Sequence, residues 1–208
     1  MTHETFFNLN AEKRGRIVES AIDEFLRTSY EKTSIDRIVK SAGIPKGSFY
    51  QYFDSKDDLY VYCIMDLAST LLAQSVKTQK RGILENIFKS ANTKGLTATI
   101  LAAKNEQIAL IGEKNYKFCL SLIDAPHALK NDVLLRIAKE LIKPIIKEEL
   151  ARDKTINKDF DLDYFAYIIS LAEFISIQYD EYPSPSITRM NKHSYEYILA
   201  IYSFLSAK

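Results

Sequence analysis

The stretch SAGIPKGSFYQYFDSKDDL, Ser41 to Leu59, sets a glycine turn beside a crowded polar and aromatic run. Ahead of it, Ile35, Ile38, Val39 and Ala42 recur at helical spacing, and Thr33 or Ser34 with Asp36 makes a helix start. Gly43 closes that helix, since glycine enters the left-handed region at little cost. Pro45 suits the first turn of a next, very short helix. Phe49 and Phe53 lie four apart and mark its buried face, which turns Lys46, Gly47, Ser48, Tyr50 and Gln51 largely outward. Ser55 then caps a fourth helix that opens with Lys56, Asp57 and Asp58.

A short helix propped on a second through a glycine turn is the helix-turn-helix arrangement, whose last helix enters a DNA major groove. The exposed residues fit that task. Gly47 permits close backbone approach; Lys46 and Ser48 reach phosphate or a base edge. Gln51 can pair with adenine, and Tyr50 and Tyr52 can donate hydroxyls to phosphates. Lys56 puts charge where helix N–H groups favour an anion, and Thr33 and Ser34 do the same from the other side. Between residues 37 and 56 the basic residues are Arg37, Lys40, Lys46 and Lys56, against Asp54 alone, whereas the whole chain carries +1. Any nucleic-acid affinity therefore rests on a local, salt-sensitive patch. An aromatic-rich segment taken alone also reads as ordinary packing.

Those residues, with TSIDRIVKSAGIPKGSFYQYFDSKDDLY (Thr33 to Tyr60) as their core, resemble the TetR family of bacterial transcriptional regulators from about Ile17 to Leu59. The resemblance implies DNA contacts at Thr33, Lys46, Gly47, Ser48, Tyr50, Gln51, Tyr52 and Lys56, and core roles at Ile38, Val39, Ala42, Ile44, Phe49 and Phe53. It also implies a homodimer on a pseudo-palindromic double-stranded DNA operator, released by a small-molecule effector in the C-terminal body. Two positions depart from the family pattern. Ser29 stands where glycine is usual, at the cost of strain if φ is positive there, and Pro45 replaces a hydroxyl residue.

The remainder supports an all-α fold. The 208 residues are 47% hydrophobic, with only 6 glycines and 5 prolines. Asn10 caps a first helix with its apolar stripe at Ile17, Val18, Ala21, Ile22, Phe25 and Leu26. The expected division is a helix-turn-helix DNA-binding domain over residues 1–55 and a helical ligand-binding and dimerisation domain over 56–208. Breaks are expected at Gly112, at Ala125-Pro126 and over Lys154–Asp161, and Pro144 is expected to kink or divide its helix. LDYFAYIISLAEFISIQY (Leu162–Tyr179) and SYEYILAIYSFLSA (Ser194–Ala207) are apolar nearly all round, which suits a four-helix dimer interface or an intrachain core. Candidate effector walls are Phe88, Tyr116, Phe118, Phe165, Tyr167 and Phe174, with Glu173 as a polar contact. The same aromatics read equally as core, and Ser170, Glu173 and Ser176 as a polar stripe.

Other chemistry finds little support. His3, His127 and His193 are scattered without metal spacing, so no metal or cofactor is expected. GIPKGS lacks the order of a phosphate loop, and no catalytic motif occurs, which leaves only a remote Cys119/His127 pairing. Cys63 and Cys119 form no framework, no signal peptide is apparent, and no run reaches ~18 apolar residues, so a cytoplasmic protein without a membrane span is expected. The competing readings are a helical small-molecule-binding protein or an interaction module with no DNA role.

Overall fold

The computed structural model describes residues 2–78, 105–152 and 161–181, and at 75–78, 149–150, 152 and 172–181 the backbone alone. Every described element is helical apart from one isolated bridge between Thr2 and Phe53. By compactness the chain forms two units: residues 1–67 with 113–133, and 68–112 with 134–208. The first unit runs past the expected functional boundary at residue 55 and takes in residues 56–67 and 113–133.

In the first unit a short helix, α1 (Glu4–Phe7), precedes α2 (Ala11–Arg27). Asn10 caps α2 by accepting from the Lys13 N–H at 2.8 Å. The predicted stripe is largely the buried one, with Ile17, Ala21, Ile22 and Phe25 in the core. Leaving α2, the chain passes Thr28 in extended conformation and makes a 3-10 turn at Tyr30–Lys32. Ser29 has φ −60°, so the strain attached to a serine at this glycine position does not arise.

Helices α3 (Ile35–Ala42) and α4 (Lys46–Tyr52) follow. Gly43 joins them at φ 66°, ψ 38°, and the Ile44 N–H closes back on the Val39 carbonyl at 3.0 Å. Pro45 is the N-cap of α4, one place before its expected position. Helix α5 (Lys56–Thr78) opens with Ser55 accepting from the Asp58 N–H at 3.2 Å. Residues 105–111 are helical up to Gly112, whose φ of 82° makes the expected break. Next come α6 (Glu113–Leu120), a 3-10 turn (Ser121–Asp124) and α7 (His127–Arg136).

In the second unit Pro144 divides its helix in a specific way. A π-turn (Ile137–Ile142) separates α7 from α8 (Lys143–Arg152). Proline has no N–H and its ring presses on the carbonyl four residues back, so a regular ladder fails here. Ala138, Ile142 and Ile146 stand in steps of four and are all buried against Phe165, Ala166 and Ile169 of α9 (Leu162–Glu181). Steps of four overrun the helical turn of about 3.6 residues, and the wide turn absorbs the excess. Asp161 caps α9, accepting from the Asp163 and Tyr164 N–H groups at 2.9 and 3.0 Å. The expected helix at Ser194–Ala207 lies outside the described residues.

Candidate nucleic-acid interface

The buried side of α3 and α4 is built from Ile38, Val39, Ala42, Ile44, Phe49 and Phe53, all the expected core residues. With those positions inward, the opposite side of α4 presents Lys46, Gly47, Tyr50 and Gln51 to solvent, and Ser48 is half-buried. Tyr50 is 49% exposed. A cation, a bare backbone position, a phenol and a carboxamide thus share one face of a seven-residue helix.

The remaining expected contacts are differently placed. Tyr52 is only 6% exposed, its ring 6.0 Å from that of Phe6 and near the Lys13 ammonium. Helix α1, which periodicity did not reveal because it is a single turn, supplies that cover. The main chain around it is tied down: the His3 N–H donates to the Tyr52 carbonyl at 2.8 Å, and the Thr5 hydroxyl donates to the Gln51 carbonyl. His3 Nε2 also meets Asp54 Oδ1 at 2.7 Å. The signal was there in two adjacent phenylalanines ahead of the Asn10 cap.

Thr33 is buried, and its hydroxyl donates to the Ser29 carbonyl at 3.3 Å. Ser34 is the N-cap of α3 but contributes no side-chain cap, contrary to expectation. The Ser34 N–H donates instead to Glu24 Oε1 at 3.2 Å. Glu24 also takes Arg37 Nε at 2.7 Å and two bonds from Arg27 at 2.9 and 3.1 Å. Burial pushes its carboxyl up, but the hydrogen bonds from Arg37, Arg27 and the Ser34 N–H prevail and hold it below the usual carboxylate range. Lys56 is committed within the fold as well. Its ammonium donates to the Tyr30 carbonyl at 2.8 Å and lies 4.5 Å over the Tyr30 ring. The Tyr30 hydroxyl in turn donates to Asp57, so the start of α5 clasps the 3-10 turn.

The expected effector residues divide between the units. Tyr116 and Phe118 are buried in the first, where Phe118 meets Tyr60 edge-on at 5.2 Å and Phe25 at 5.8 Å. Phe165 is buried and Tyr167 partly buried in the second. Phe88 lies outside the described residues, and Glu173 and Phe174 are described as α9 backbone only. A cleft of about 560 Å³ in the first unit is lined by other residues, among them Arg14, Glu19, Tyr62, Asp66 and Lys114. Burial pushes the Cys119 thiol up to about 12, which leaves it protonated and a poor nucleophile. Among the described residues no cluster of His, Cys, Asp and Glu could hold a metal, and no helix is long and apolar enough to cross a membrane.

Residues 17–63 match the family model of bacterial regulatory proteins, tetR family. The HTH-type transcriptional repressor DhaR of Mycobacterium sp. (strain GP1) is 28% identical over 163 residues, 74% of each chain. The biofilm operon negative regulator IcaR of Staphylococcus aureus (strain Newman) is 36% identical over 62 residues, 28% of this chain and 33% of that one. The fold matches a TetR-family regulator from Syntrophomonas wolfei with a TM-score of 0.54 at 17% identity, over 95% of this chain and 96% of that one. It also matches the regulator FadR from Bacillus subtilis, solved with stearoyl-CoA, with a TM-score of 0.51 at 15% identity, over 90% and 98%. The helix-turn-helix segment thus matches the tetR family model over residues 17–63, and the helical fold resembles that of TetR-family regulators over nearly the whole chain.

Proposed function

We propose that the protein is a ligand-responsive repressor that binds a pseudo-palindromic operator as a homodimer. The observation that carries this reading is the exposed face of α4, with Lys46, Gly47, Tyr50 and Gln51 turned away from the phenylalanine core. Lys46 and Tyr50 serve phosphates, Gly47 lets the backbone approach, and Gln51 reads a base edge. Thr33, Tyr52 and Lys56 serve chiefly to hold the same surface in place, while half-buried Ser48 reaches a phosphate or a base edge. Repression is supported by the naming of DhaR as a repressor and IcaR as a negative regulator. A small-molecule effector in the helical body is supported by a relative in fold that holds stearoyl-CoA. Tyr167, Glu173 and Phe174 on α9 are the effector contacts we favour, since Phe165 is wholly buried whereas Tyr167, packed against the same cluster, keeps part of its surface open. The effector weakens DNA binding to the extent that it prefers the non-binding state.

Selection of bound duplexes from a random pool tests this, with wild type beside the Lys46→Ala/Tyr50→Ala variant. Wild type enriches an inverted repeat and the variant does not. Loss of one phosphate hydrogen bond of ~1 kcal/mol in each half-site, as in Tyr50→Ala alone, weakens operator binding by the dimer roughly thirtyfold without lowering thermal stability. Failure of folded wild type to enrich any sequence at low salt moves the function to small-molecule binding or protein interaction.

A further inference from the structure

Asp36, in the first turn of α3, lies just outside the basic stretch counted from the sequence. Its carboxylate meets the Lys46 ammonium at 2.7 Å, with side chains 66% and 56% exposed. A pair so open to water adds little to stability. Nor is it required as a staple, since α3 and α4 are already joined by the Gly43 turn and by buried Ile38, Val39 and Phe49. The pair therefore has no evident structural task. It has a clear electrostatic one, because it sets an anion against the leading cation of the α4 face. Arg37 is occupied elsewhere, on Glu24 and on the Lys32 carbonyl at 3.0 Å. The surface is less cationic than a count of lysines and arginines suggests.

On a duplex this arrangement has consequences. A phosphate that takes Lys46 brings its own charge against Asp36. The carboxylate is relieved only by a donor, and in the major groove the donors are base amino groups, of which the cytosine N4 amino group is the usual carboxylate partner. Guanine, on the opposite strand of that pair, offers O6 and N7 to a lysine. Resting on the DNA-binding reading above, we propose that Asp36 is a specificity-determining residue: it disfavours phosphate-only binding and selects half-sites that present a cytosine amino group beside Lys46.

The test compares wild type, Asp36→Ala and Asp36→Ala/Lys46→Met, each checked for an unchanged melting transition. Two readouts are taken: salt titration on a duplex without the selected repeat, and sequence selection from a random pool. Freeing Lys46 in both protomers adds two counterion releases per dimer, so Asp36→Ala binds the non-cognate duplex with a log–log salt slope steeper by ~1.8, and roughly sixtyfold tighter at ~0.1 M salt. The double variant loses that gain. The repeat selected by Asp36→Ala loses one cytosine preference per half-site. A variant that gains no affinity, or gains it while keeping the wild-type consensus, overturns the proposal. Wild type that selects no repeat overturns the DNA-binding reading itself, and the two failures are thereby told apart.

Discussion

Glu24 is 6% exposed and accepts hydrogen bonds from two arginines and from the N–H of Ser34, the residue that precedes α3. Its two arginines are 54% and 50% exposed and regain water when the carboxylate is removed, so Glu24→Ala is expected to lower unfolding free energy by about 1–2 kcal/mol, read by urea denaturation. Its pH dependence has a definite sign. The carboxyl ionises more readily folded than unfolded, so its contribution is complete above the unfolded value of about 4.3 and is lost as pH falls through the lower folded value. Urea midpoints of wild type therefore fall more steeply below pH ~4 than those of Glu24→Gln. None of this was legible in the sequence, where Glu24 is one acid on the α2 helix. Its role depends on three partners up to 13 residues away. The outward residues of α4 were legible, because two buried phenylalanines four apart determine which side faces water. Tyr52 and Lys56 read less well, since each is claimed by a local neighbour, Phe6 and the Tyr30 turn, that periodicity does not register.

At the scale of elements, the turn between α3 and α4 is the joint on which the candidate interface depends. Gly43 has open space where a Cβ would stand, so any side chain there is penalised by backbone conformation alone. Gly43→Ala is expected to cost about 1–2 kcal/mol, and Gly43→Asn less, by thermal or urea unfolding. An equal cost for both would contradict a backbone origin. Glycine turns, proline breaks and polar caps were readable because each acts within four residues of itself. Asn10, Gly43, Ser55, Gly112 and Asp161 all mark element ends in the structure. Where the local rule had a competitor it failed. Ser34 yields the start of α3 to Glu24, and the single turn α1 has no periodicity to detect.

For the whole molecule, reading two half-sites one helical turn apart, about 34–36 Å, calls for two chains. Light scattering at micromolar concentration is expected to give the mass of a dimer, and a monomer contradicts the two-half-site reading. The two compact units put Tyr116 and Phe118 in one and Phe165 and Tyr167 in the other. A list of aromatics drawn from spacing cannot foresee that division, because spacing orders residues along a helix and not between helices. The π-turn at Ile137–Ile142 carries a last consequence for comparison between relatives. It amounts to one residue beyond a regular helix, and one residue rotates everything downstream by about 100°. A relative without proline at the position of Pro144 has no need of the extra residue. Aligned without a gap, its sequence would match Ile146 to a position on another face, and a residue conserved in space would look variable in sequence.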